Sequence, residues 1–168
     1  MSSVEITDRY LDTLLLYYEE EIAGEAYFRA MAAKFTVSDQ RDKMILLAEV
    51  EAHAAKGVAP LLEKYALVPR NVEELRRLGQ GEAEADTNSY AESLVQMQQT
   101  YPGYVDDFLA LEALGPAEDR ERLAFLTGHE YAALEFLALE ARGVADSVAP
   151  LRAYLASDPE RLAEPWVR

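Results

Sequence analysis

Residues 10–31 read YLDTLLLYYEEEIAGEAYFRAM. Each residue of an α-helix advances about 100° around the axis. On that count Tyr10, Leu14, Tyr17, Glu21, Gly24, Phe28 and Met31 share one seam. Every member is apolar or small except Glu21, which sits in the middle. Glu19 points well away from the seam, and Glu20 and Glu25 lie at its margins. A carboxylate placed on a buried stripe needs compensation, because burial of an unpaired charge costs several kcal/mol or forces the group to neutralise.

The same pattern recurs twice downstream. With Glu51 as origin, Met44, Leu47, Ala54, Val58 and Leu62 fall within about 60° of it on a helical projection. Glu51 therefore occupies the centre of a buried face, whereas Glu49 and His53 lie roughly 160° away, toward solvent. With Glu130 as origin, Leu123, Leu126, Ala133 and Leu137 cluster around it in the same way. His129 and Glu140 stand about 80–100° to one side, on the shoulder of that face. Depth agrees with direction. Glu51 is 12 residues past Asp39, Glu130 is 12 past Glu118, and Glu21 is 15 before Thr36. Three glutamates from three helices are thus expected at one level of the core.

Glycine and proline divide the chain into four helical segments, about 7–35, 40–66, 88–114 and 117–156. Thr7 caps the first and Ser38 or Asp39 the second. Gly115-Pro116 turns the chain into the fourth. Short turns make consecutive segments antiparallel neighbours, and the connection 67–87 is long enough to cross between two such hairpins. Inside it Asn71–Leu78 forms a short helix, with Asn71 and Glu74 at capping-box spacing and Gly79 as its stop. The fourth segment, as one rod, would span roughly 60 Å at 1.5 Å per residue. Gly143 or Pro150 is expected to bend or split it. The echo of Val58-Ala59-Pro60-Leu61 in Val148-Ala149-Pro150-Leu151 suggests a duplicated hairpin.

The 168 residues fit one all-α domain. With 16 Lys+Arg against 31 Asp+Glu, the net charge of −15 argues against nucleic acid as a partner. No cysteine is present, which removes disulfides, thiolate metal sites and cysteine nucleophiles. No apolar run reaches membrane-spanning length and no signal-peptide pattern opens the chain, so the expected location is the cytoplasm. His-Glu-x-x-His, a nucleophile elbow and a phosphate-cradling glycine loop are all missing. Pro102-Gly103 interrupts the third segment beside Tyr101, where a kink would admit a ligand or small substrate.

Two hairpins with inward glutamates at mid-height and a long crossover resemble the ferritin-like superfamily. Its di-iron and di-manganese carboxylate members use a Glu from each of two helices and Glu-x-x-His from each of the other two. The resemblance implies a ferritin-like four-helix bundle and maps Glu21 onto a lone glutamate, and Glu51 and Glu130 onto the two Glu-x-x-His motifs. The motif histidines are replaced by Ala54 and Ala133, and Tyr101, or Thr100 one step away, stands where the fourth glutamate would be. His129 and Glu140 are left as substitute ligands. The implied cofactor is Fe or Mn, and the implied chemistry is oxidation by dioxygen or peroxide in a cavity lined by Tyr17, Met97, Tyr101 and Phe108. Such bundles commonly pair, so a homodimer is expected. Two alternatives stand beside this reading. One is a metal-free helical binding or dimerisation module with protonated or hydrogen-bonded glutamates. The other is an acidic surface for a basic protein.

Overall fold

The computed structural model describes residues 5–162. Among them the chain is all-α, with six α-helices, one short 3-10 turn and no strand. The helices are α1 (Asp8–Lys34), α2 (Ser38–Lys64), α3 (Val72–Ala85), α4 (Tyr90–Leu114), α5 (Arg120–Ala141) and α6 (Ala149–Ala156). The 3-10 turn, Ala117–Asp119, leads directly into α5. No helix among the described residues is long and apolar enough to cross a membrane.

Local chemistry sets the ends of these elements. The Thr7 hydroxyl accepts from the Tyr10 N–H and starts α1. Ser89 and Glu92 form a reciprocal capping box at the start of α4. After α2, Ala66 takes a left-handed conformation at φ 53°, the geometry that commonly closes a helix. The fourth sequence segment does split. Gly143, at φ +69°, ends α5 in a left-handed turn that side chains other than glycine adopt at a cost. Pro150 then sits in the first turn of α6, where its missing N–H is harmless.

The helix in the 67–87 connection is longer than expected. It continues through Gly79 and Gly81 to Ala85. Gly79 is not a stop signal; it is the contact point with α1. A Cβ there would fall 2.0 Å from the Ala23 carbonyl oxygen, so only glycine lets the two helix backbones approach so closely. Lys34 donates to the carbonyls of Ala83 and Asp86, and Tyr27 donates to the Asp86 carboxylate at 2.7 Å. These contacts fasten α3 along α1.

This packing corrects the reading of Glu19. It was expected to face solvent, yet it is buried and paired with Arg70. The chain leading into α3 covers a second side of α1, so α1 has more than one buried stripe.

The core lies among α1, α2, α4 and α5. The most extensive packing is α1 on α2, α1 on α3 and α4 on α5, with α2 on α5 joining the pairs and α1 touching α4 more sparsely. α6 folds back over α5 and α2. That return corrects a second expectation. His53 does not face open solvent: its ring stands 5.6 Å from Phe125 and 5.5 Å from Tyr154, and Nε2 is 2.6 Å from the Ser157 carbonyl.

One end of the molecule is tied by Asp119, which is fully buried. It accepts from the Tyr10 hydroxyl at 2.7 Å, the Tyr65 hydroxyl at 2.6 Å and Lys64 Nζ at 2.6 Å. Three donors compensate the loss of hydration that burial imposes on a carboxylate.

Candidate metal centre

Glu21 from α1, Glu51 from α2, and His129 and Glu130 from α5 meet inside the core, all buried. Glu21, Glu51 and His129 each offer one ligand atom, and these atoms lie within 4.8 Å of one another. His129 Nε2 is 3.1 Å from Glu21 Oε2, 3.2 Å from Glu130 Oε1 and 3.9 Å from Glu51 Oε1. The expectation that glutamates of three helices share one level is met for this group.

His129 was expected only at the shoulder of its helix, but no part of it is exposed. The reason is that α5 is covered by α2, α4 and α6, so its buried arc runs nearly around the helix. The imidazole orientation is set locally. Nδ1 contacts the Leu126 carbonyl one turn back. A carbonyl accepts, so Nδ1 carries a proton and Nε2 is the nitrogen presented to the carboxylates.

Glu140 is not part of this cluster. It lies ten residues further along α5, roughly 15 Å by helical rise. There it accepts from Lys43 at 2.9 Å, Tyr90 at 3.1 Å and Ser147 at 2.5 Å. Those donors hold it as a structural anion beside the α5–α6 turn, which removes it from the expected ligand set. Glu140 shares the angular sector of His129 around the helix; distance along the axis separates it from the cluster.

The atoms of the cluster are close but not aligned on one another. Glu21 Oε2, His129 Nε2 and Glu130 Oε2 are inaccessible to solvent and have no hydrogen-bond partner of adequate geometry. Buried polar atoms are almost always satisfied, so three such orphans in one place call for an explanation. Donors that share a metal ion at about 2.1 Å lie roughly 3–3.5 Å apart, comparable to the shorter separations here. One imidazole nitrogen with carboxylate oxygens suits first-row divalent ions such as Fe(II) and Mn(II). The residues present thus fit a metal.

The electrostatics without an ion are also coherent. Burial acts most strongly and raises the Glu21 carboxyl, but the charge and contact of His129, together with the contact of Glu51, outweigh it and hold Glu21 below its ordinary value. Burial, then the Glu21 charge, push Glu51 well above the carboxylate range. Burial works against charge on His129, yet the surrounding carboxylates, Glu21 foremost, raise it well above its ordinary value. The metal-free cluster is therefore an imidazolium–carboxylate pair with Glu51 favoured in its neutral form.

A cavity of about 480 Å³ opens beside the cluster. Tyr17, Met97, Tyr101 and Phe108 line it, as expected, together with Glu21, Glu51 and Glu130. Tyr17 and Phe108 meet edge to face at 5.0 Å, and Phe108 packs 5.3 Å from the His129 ring. Burial, with Glu51 and Glu130 nearby, lifts the Tyr101 hydroxyl well above its ordinary value. α4 continues as helix through Pro102, which is exposed, and carries Tyr101 and Tyr104 into the wall.

Several wall residues were not anticipated. Ser93 lies on the buried seam of α4 with Tyr90 and Met97, a spacing visible in the sequence. Tyr27, Glu82 and Asp86 belong to the contact of α3 with α1, and nothing in the periodicity of α3 alone tells which helix it lies against. Gly24 was read as a small seam residue. Its role is sharper, since a Cβ there would lie 2.8 Å from Glu51 Oε2.

No family model matches the chain, and neither a curated protein nor a solved structure matches it.

Proposed function

We propose that the protein is a ferritin-like metal-binding protein that holds iron or manganese between Glu21, Glu51 and His129, with Glu130 as a further carboxylate. The observation that carries this reading is the convergence of four buried ionisable groups, three of which (Glu21, His129 and Glu130) hold a buried polar atom without a hydrogen-bond partner. An ion would replace the missing partners at once. The pairing of α1 with α2 and α4 with α5, joined through α3, supports a four-helix core with a crossover. On this reading the ion supplies redox chemistry toward dioxygen or peroxide. The protein's own part is to fix the His129 tautomer through Leu126, exclude bulk water with Tyr17, Met97, Tyr101 and Phe108, and leave the cavity side of the site approachable.

The competing reading is a metal-free descendant of the same bundle, serving as a binding or dimerisation module. The balanced charges of His129 and Glu21 and the alanines at 54 and 133 favour it. Metal analysis of purified protein, followed by reconstitution with Fe(II) or Mn(II) under anaerobic conditions, separates the two. Near-stoichiometric uptake abolished in Glu51→Gln supports the metal centre; uptake that stays substoichiometric after reconstitution refutes it. The homodimer and the cytoplasmic location belong to the same proposal. Sedimentation and fractionation address them.

A further inference from the structure

The wall of the cavity has a charge pattern that the metal centre does not explain. Among the described residues that line it, seven are acidic, six are aromatic, and none is Lys, Arg or His. Glu21, Glu51 and Glu130 form its floor. Four other acids join them: Glu20 from α1, Glu82 from α3, Asp86 at the C-terminal cap of α3, and Asp107 from α4. Glu20, Glu82 and Asp107 are exposed, so they ring the mouth rather than the floor.

We propose that this cavity binds a small organic cation, an alkylammonium or quaternary ammonium group held against its tyrosine wall with acidic side chains around it.

Each class of guest would meet a different fit in this wall. A carboxylate or phosphate would find no cation to pair with and carboxylates on every side. A neutral guest would gain apolar contact and hydrogen bonds to the acids, but no charge attraction. An organic cation gains from both, because ring faces attract ammonium groups and a partly desolvated acidic wall strengthens that attraction. The aromatic residues are not merely core filling. Tyr104 is 47 % exposed and stands 5.5 Å from Tyr101, so the aromatic surface reaches the mouth. A hydrated metal ion on its way to the cluster would use the acids but not the rings. The volume lies within the range of small-molecule sites.

A second observation points to a guest. The Ser93 hydroxyl, 4 % exposed, lines the cavity and has no hydrogen-bond partner. Glu130 Oε2 is in the same position. A hydroxyl or N–H on the ligand would satisfy such groups. Ordinary cores do not leave them open.

The cation site shares its cavity with the proposed metal centre but needs no ion, so the test uses chelator-treated full-length protein. Choline, its neutral carbon isostere 3,3-dimethyl-1-butanol, and the anion 3,3-dimethylbutyrate are titrated at physiological salt, where long-range surface attraction is screened. Binding is followed by shifts in the tyrosine and phenylalanine proton resonances. Choline is expected to bind at least tenfold more tightly than the alcohol, and the anion not at all. Tyr104→Leu and Asp107→Asn, both at exposed positions, are expected to weaken choline by three- to tenfold. Glu49→Gln, on the outer face of α2, should leave it unchanged. Equal binding of choline and the alcohol overturns the proposal. So does unchanged choline binding in Tyr104→Leu, or an equal loss in Glu49→Gln. A protein that takes up choline but no metal retires the metal reading alone, and the reverse result retires this one alone.

Discussion

Replacing Glu51 by Gln separates the metal-bound from the metal-free protein. Glu51 is buried, and burial with the neighbouring Glu21 charge raises it well above the carboxylate range. Its neutral acid and a glutamine amide are nearly the same size, and neither carries charge. Without metal, Glu51→Gln should therefore change stability by no more than about 1 kcal/mol, the scale of one altered hydrogen bond. With metal the outcome differs, because an amide is a poor substitute for a carboxylate ligand. A ligand present at a hundred times its dissociation constant stabilises by about 2.7 kcal/mol. For a domain of this size each kcal/mol moves the midpoint by about 2–4 °C, so the wild type should gain roughly 5–11 °C. The variant should gain almost nothing. Thermal melts by circular dichroism, with and without Mn(II), give both numbers. A full metal-induced gain in Glu51→Gln would refute Glu51 as a ligand. A large metal-free loss would refute its neutral state.

Gly24→Ala should weaken metal binding without unfolding the protein. The new methyl would press on Glu51 Oε2, the end of a flexible side chain, while helix propensity gains up to about 1 kcal/mol; a metal titration reads the effect, and unchanged affinity would count against the placement of Glu51. Asp119→Ala should cost about 1–3 kcal/mol in urea unfolding, since it strands the buried Tyr10 hydroxyl and removes the acceptor of the part-buried Tyr65 and Lys64. The same cluster predicts alkaline sensitivity. Burial and Asp119 push the Tyr65 hydroxyl up to about 12, above its ordinary 10.0. Its contribution is complete below pH 10 and is lost as pH rises toward 12, because the unfolded chain releases the proton first. Stability measured across that window should fall, and more shallowly in Tyr65→Phe.

The inward direction of Glu21, Glu51 and Glu130 was legible because helical periodicity reports which side of a helix is buried whenever one neighbour dominates. It worked for α1 and α2 at those positions. It misjudged His129 and His53, because α6 returns over α5 and α2, and nothing in the α5 pattern announces a second covering layer. Gly143 did mark the break that makes the return geometrically available. Glu140 failed for another reason: angular position alone admitted it, and Lys43, Tyr90 and Ser147 lie far apart in sequence. Glu19 likewise depended on where the chain before α3 would lie. Partners brought together only by the tertiary path leave no local trace.

Gly79 lets α3 lie flush on α1, and α1 is also the one helix with which α3 packs extensively. A segment attached along a single flank can come away while the remaining helices keep their mutual contacts. Its detachment would take Glu82 and Asp86 with it and widen the way into the interior. Amide hydrogens of residues 72–85 should therefore exchange through a local opening of lower free energy than those of α2 and α5, making this piece the gatepost of the protein rather than part of its frame.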